Sequence, residues 1–275
     1  MVNLPKTPQV VKKEKNKAVF EIEGLYPGYG VTVGNALRRV LLSSLEGAAA
    51  TQVKIKGISH EFSTIPGVLE DVVLIMLNLK KLRFKIFVDE PQKATLKIKG
   101  EKAVKGSDFK LSSQVELMNK DSHIATLTGK SAELEMELLI EKGIGFSSQR
   151  DRRETSSRAR EKLEIGVIPL DATFTSIKRV SYRTENMRVG ERTDYDRLSL
   201  EIETDGTIPP EEAFYQASGI LVSHFSLLTE AFKPKAVPKI ETPKKEKKKS
   251  PVQKKKVTIQ KKTKNAEKKT RKKTK

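Results

Sequence analysis

Few residues in this chain have types and spacings that could do chemistry, and each such group reads better as a binding element than as a catalytic one. Asp194 and Asp196, in Arg192-Thr193-Asp194-Tyr195-Asp196-Arg197, form the best-placed carboxylate pair. General acid–base work needs one member of such a pair to hold a proton near neutral pH. Here the flanking guanidiniums favour the ionised form of both, so the spacing points to ion pairing. The three histidines, His60, His123 and His224, lack a partner at i+4 and a carboxylate cluster at metal-ligand spacing. Gly28, Gly30 and Gly34 miss the dinucleotide-binding pattern by one residue, and no G-x-x-x-x-G-K-[ST] stretch exists. Those glycines are expected to serve a tight strand-to-helix turn. No nucleophile stands with a base, so no catalytic residue, cofactor or metal ligand is expected.

The remaining candidate is a pair of adjacent arginines, Arg38 and Arg39, inside the apolar stretch Gly34–Leu45. Wound as a helix at about 100° per residue, this stretch spreads its apolar side chains over roughly 200°, wider than the stripe of a helix resting on one core. Two readings follow: a core helix with snorkelling arginines, or a helix that meets both its own sheet and another subunit. Gly47 is expected to close it. Before it, residues 18–33 alternate as a strand and then turn. After it, residues 52–58, 95–99 and 132–138 alternate with period two, as half-buried strands do, with a short helix over Val68–Leu79 between them. Strands are expected again at 176–182 and 197–203, followed by a turn at Asp205-Gly206. Pro209-Pro210-Glu211-Glu212 then places proline and two acids at a helix start, suited to the unpaired N–H groups and the dipole there. This helix should run to about Phe232, and its stripe from Ala213 to Ala231, widened by Phe214 and Phe225, exceeds what one small sheet needs.

The chain has 275 residues, no cysteine and a net charge of +19. That charge is local: Lys233–Lys275 carries 20 Lys and Arg against 3 Asp and Glu, a net of +17, leaving +2 for the rest. The near-neutral body therefore does not read as a nucleic-acid-binding domain. The tail, rich in Lys and Pro and without aromatics, is expected to be disordered. So is a loop-like character expected of the polar stretch 147–162. Absent cysteines exclude disulfides and thiolate metal sites, and no apolar run approaches the ~20 residues of a membrane span. The reading is a cytoplasmic protein with no membrane partner.

Several motifs, in one order over roughly residues 18–232, carry a specific resemblance. Gly34–Ser44, His60-Glu61-Phe62-Ser63-Thr64, Gly67-Val68-Leu69-Glu70-Asp71, Leu77-Asn78-Leu79-Lys80, Gly190–Asp196 and Thr204–Ala213 together resemble the amino-terminal domain of the bacterial RNA polymerase alpha subunit. The resemblance implies an α+β fold in two parts: a dimerisation subdomain from 1–46 and 171–232, a β-rich insert subdomain over 47–170, and then the basic tail. It implies a homodimer built on Leu37, Val40, Leu41, Ala217, Leu221 and Leu228. It places a contact to the beta subunit at Arg39, Leu42, Lys80 and Leu170, and one to beta-prime at Arg179, Arg192 and Asp194. Arg38 stays structural. The family's carboxyl-terminal domain, which binds promoter DNA, finds no match in 233–275.

The function implied is that of a dimeric scaffold for polymerase assembly, whose phosphodiester chemistry belongs to other subunits. The alternative is a free-standing nucleic-acid-binding protein acting through its tail. In either case Lys247, Lys248, Lys249, Lys254, Lys255 and Lys256 are candidate contacts to DNA or RNA phosphates, with affinity that falls steeply with salt.

Overall fold

The computed structural model describes residues 3–150 and 166–233. The expectations for most of 147–162 and for the tail, including its six candidate lysines, lie outside the described residues. The elements run β1 (Gln9–Lys13), β2 (Lys17–Leu25), α1 (Tyr29–Ser43), β3 (Glu46–Ile55), α2 (Val72–Leu79), β4 (Phe84–Ile86), β5 (Gln92–Lys99) and β6 (Lys102–Lys105). They continue with β7 (Val115–Leu117), β8 (His123–Leu127), β9 (Glu133–Ile144), β10 (Phe146–Ser147), β11 (Val167–Pro169), β12 (Ala172–Thr173), β13 (Ile177–Val189), β14 (Arg192–Thr204) and α3 (Pro210–Ala231). The fold is α+β, as expected.

Chain ends meet in a four-stranded antiparallel sheet of order β1-β2-β14-β13. Alternation along β2 and β14 turns Ala18, Phe20, Leu200 and Ile202 to one face, where they bury against Leu37 and Leu41 of α1, Leu45 just after it, and Ala213 and Ala217 of α3. Phe20 and Phe214 stack there, with ring centroids 4.8 Å apart. The intervening sequence builds a six-stranded sheet, β5-β9-β3-β4-β7 with β11 beside β3. Its core takes Val72, Ile75 and Leu79 from α2 and fully buried Leu96, Leu134, Leu138 and Ile140 from the sheet. On the other face of β5 and β9, lysines stand opposite glutamates, with Lys97 and Lys56 both on Glu135 at 3.1 and 3.0 Å. Such cross-strand opposite charges support register.

Four expectations change. The short helix expected over Val68–Leu79 is α2, which begins only at Val72, where the Asp71 side chain caps it by accepting from the Leu74 amide at 2.7 Å; Val68 instead bridges to Leu127. Helix α1 begins at Tyr29, five residues earlier than expected, with Gly28 in the left-handed region at φ 83° as its N-cap. Gly30 and Gly34 are therefore helical and serve close packing, since a Cβ on Gly30 would meet Thr184 at 2.9 Å and one on Gly34 would meet Tyr182 at 2.8 Å. The sequence reads them as turn residues because a helix start rich in glycine looks like a loop. Gly47 does not end the helix. It lies within β3, where the Phe174 carbonyl crosses so closely that a Cβ would lie 1.7 Å from its oxygen. Finally, the predicted strands at 176–182 and 197–203 are parts of one long hairpin, β13 and β14, turning at Gly190.

Candidate subunit-contact surfaces

On α1 the width of the apolar arc resolves into two sides. Leu37 and Leu41 are buried in the core beneath. Val40 is half-buried, while Arg39 is exposed and Leu42 is 37% exposed. Arg38 turns back along its own helix and donates to Asn35 Oδ1 at 3.0 Å. Among the described residues nothing pairs with the Arg39 guanidinium. With Asn35 and Val40, and with Leu221 of α3, it borders a shallow open depression. A planar donor fork presented in this way suits a carboxylate or backbone carbonyls of another chain.

The two halves of α3 behave differently. Its first half buries Ala213 and Ala217, and Ile220 and Leu221 lean on the same core. From Val222 onward every residue of the helix is exposed, Phe225, Leu227 and Leu228 at 60, 67 and 56%. Leu37, Leu41 and Ala217, expected at the dimer interface, are instead packed inside their own protomer and offer no surface. Val40, Leu221 and Leu228 remain accessible.

Lys80 follows α2 and pairs with Asp171, Nζ to Oδ2, at 2.9 Å. Leu170, expected beside it at a contact surface, is wholly buried in the core of the larger sheet, with its amide bonded to the Thr51 carbonyl at 2.8 Å. Its neighbour Asp171, half-buried, is the partner that sequence reasoning missed; an acid one residue beyond an apolar strand was the available signal.

At the tip of the β13–β14 hairpin, Arg192 binds Asp194 through both arms of its fork, at 3.0 and 2.6 Å. The guanidinium lies over Tyr26 and Tyr195, 5.7 and 5.4 Å from the ring centroids. Its hydrogen bonds hold the Asp194 carboxyl below the usual carboxylate range, and Asp194 raises Arg192 in turn. The ion pairing expected from sequence is thus present at Asp194. Asp196, two residues on, is different: it is buried and its Oδ2 accepts from the amides of Gly28 and Gly30, both at 2.9 Å. Arg179 stands exposed on β13, away from this cluster.

The histidines are similarly dispersed. His60 lies 3.1 Å from Ser63 Oγ, His123 bonds Glu70 at 2.8 Å, and His224 is exposed on α3. Among the described residues no group of His, Asp and Glu could hold a metal ion. No described helix is long and apolar enough to cross a membrane. What the geometry offers is a set of surfaces: an unpaired arginine beside apolar side chains on α1, an unpartnered apolar half-helix on α3, and paired charges after α2 and at the hairpin tip.

Comparison with known proteins bears on whose surfaces these are. Residues 53–175 match the family described as the RNA polymerase Rpb3/RpoA insert domain. The whole body is similar to proteins named DNA-directed RNA polymerase subunit alpha. That of Syntrophomonas wolfei is 44% identical over 249 residues, covering 89% of this chain and 77% of the relative. Those of Oceanobacillus iheyensis and Symbiobacterium thermophilum are each 47% identical, over 76 and 81% of this chain and 64 and 69% of their own lengths.

Proposed function

Because the chain belongs to the DNA-directed RNA polymerase alpha-subunit family, we propose that it homodimerises and scaffolds assembly of the beta and beta-prime subunits, contributing no active-site residue of its own. In this reading 1–46 and 171–232 form the dimerisation subdomain and 47–170 the insert. The observation that carries it is the bare second half of α3. A fully buried Phe or Leu side chain contributes about 1.5–3 kcal/mol, so Phe225, Leu227, Leu228 and Phe232, covered on both protomers of a symmetric dimer, supply roughly 12–24 kcal/mol gross. Association itself costs about 4–15 kcal/mol. The two half-helices together therefore offset that cost, and the half-buried Val40 of α1 and Leu221 of α3 extend the same interface.

Arg39 and Leu42, on the outer side of α1, are assigned with Lys80 to beta. Arg179, Arg192 and Asp194, on the β13–β14 hairpin, are assigned to beta-prime. The test is the mass of the full chain in solution. Light scattering should give twice the chain's 30.8 kDa, and the pair of changes Phe225→Asp and Leu228→Asp should give the single-chain mass with an unchanged circular dichroism spectrum. A wild-type chain that stays monomeric at micromolar concentration would remove the dimer from the account.

A further inference from the structure

The segment after α2 must hold Lys80 still if that lysine is to meet a partner, and the structure shows an unusual amount of fixing there. Arg83 Nη1 donates to the carbonyls of Lys80 and Leu82, at 3.0 and 3.2 Å. Asn119 reaches across from the other side: its Oδ1 accepts from the Arg83 amide at 2.8 Å, and its Nδ2 donates to the Lys81 carbonyl at 2.8 Å. Three consecutive carbonyls and one amide are therefore held by two side chains. Backbone polar groups at a helix end have no partners within the helix, so these bonds define the path of the turn.

Arg83 is in turn anchored on the other core. Its Nε lies 3.5 Å from Oδ2 of Asp205, whose side chain is only 4% exposed. Asp205 sits between β14 and α3; its amide donates to the Ser176 carbonyl at 3.0 Å, and its Oδ1 accepts from the Thr207 amide and hydroxyl. A carboxylate that deeply buried is retained only with a cation or several donors, and Arg83 is the cation. The four-stranded sheet, through Asp205, thus grips the turn that carries Lys80.

We propose that Arg83 is a positioning residue: anchored on Asp205, it fixes the turn after α2 so that Lys80 meets the beta subunit at a set position relative to the α1–α3 core. The proposal rests on the assignment of Lys80 to the beta contact. It makes the insert and the dimerisation core one recognition unit for beta, with the Arg83–Asp205 pair as the joint that sets their relation.

The test uses the full chain and purified beta subunit, with affinity measured for wild type, Lys80→Ala, Arg83→Ala, Asp205→Asn and the double variant Lys80→Ala/Arg83→Ala. Arg83→Ala and Asp205→Asn should each weaken beta binding roughly tenfold while the homodimer mass stays unchanged. In the Lys80→Ala background, Arg83→Ala should add less than a threefold further loss, because its effect runs through Lys80. Arg83→Lys, which keeps the charge but loses the fork, should not restore affinity. Hydrogen exchange at the Lys81 and Leu82 amides should rise in Asp205→Asn, a variant that preserves volume and so serves if Arg83→Ala does not fold. If Lys80→Ala weakens beta binding and Arg83→Ala and Asp205→Asn do not, the positioning role is overturned and the Lys80 contact stands. If Lys80→Ala itself binds beta as tightly as wild type, the contact reading falls, and the positioning role with it.

Discussion

Asp196 caps α1 across 166 residues of chain: from β14 its Oδ2 accepts the Gly30 amide at 2.9 Å, and that of Gly28 at the same distance. An anion at a helix start satisfies unpaired N–H groups and meets the positive end of the dipole. The hairpin that carries Arg192 and Asp194 is thereby fastened to the helix that carries Arg39. Replacing Asp196 by Ala should destabilise the chain by about 2–3 kcal/mol, combining a lost cap with the buried Gly30 amide left unpaired. Asp196→Asn, which keeps one acceptor oxygen, should lose about half as much. Urea unfolding measures both; an unchanged midpoint in Asp196→Ala would deny the cap any role.

The close approaches at Gly30 and Gly47 oppose what helix and strand propensity alone would predict. Alanine in place of a helical glycine ordinarily gains about 1 kcal/mol. At Gly30, however, the new Cβ would meet Asp196 Cβ and Oδ2 at 3.0 Å as well as Thr184, so Gly30→Ala should instead lose about 1–3 kcal/mol. Gly47→Ala, directed at the immobile Phe174 carbonyl, should lose more than Gly30→Ala. Thermal melts of the two variants check the order, and a Gly30→Ala protein that melts above wild type contradicts the packing described for α1.

These two glycines also mark where the sequence is legible and where it is not. Period-two alternation at 52–58, 95–99 and 132–138 locates β3, β5 and β9, though β3 ends at Ile55 and begins six residues earlier than 52, and the Pro-Pro-Glu-Glu start exposes α3 almost to the residue, because those signals are local. The start of α1 was invisible because Gly28, Gly30 and Gly34 look like a loop until Tyr182, Thr184 and Asp196, more than 140 residues away, are laid against them. The same limit applies to the surfaces. Arg39 stands out in sequence as a charge amid apolar residues, and it is exposed. Leu37, Leu41, Ala217 and Leu170 share their helical or strand patterns with true surface residues, and only tertiary packing shows them to be buried.

Acid should loosen the loop before α2. Burial alone would raise the Glu70 carboxyl, but hydrogen bonds from His123 and from the Thr126 amide and hydroxyl outweigh it and hold it below its ordinary value of 4.5. A carboxyl lowered by folding contributes stability that is fully present above about pH 4.5 and is lost as pH falls through its folded value. Wild type should therefore melt above Glu70→Gln at pH 7, with the gap closing below about pH 4.5. A gap of constant size down to pH 3 contradicts the assignment.

The tail supplies a prediction independent of the fold. With +17 of the chain's +19 charge in residues 233–275, removing them should abolish most low-salt binding to random-sequence DNA and flatten its salt dependence. The shortened chain should remain a homodimer. Electrophoretic mobility assays across a salt series measure this; equal affinity of full-length and shortened chains at low salt contradicts it.

The central claim is that α1 packs Leu37 and Leu41 into its own core, gives Val40 to the dimer partner, and presents Arg39, at the rim of that interface, to beta. The most direct measurement is the stoichiometry and affinity of the full chain with purified beta, wild type against Arg39→Ala, by sedimentation at matched concentrations. The account predicts two chains to one beta for wild type, and for Arg39→Ala a dimer of normal mass whose affinity for beta is at least tenfold weaker, as expected when a central arginine anchor is removed. A wild-type chain that forms no complex with beta, or an Arg39→Ala dimer that binds beta as tightly as wild type, would contradict it.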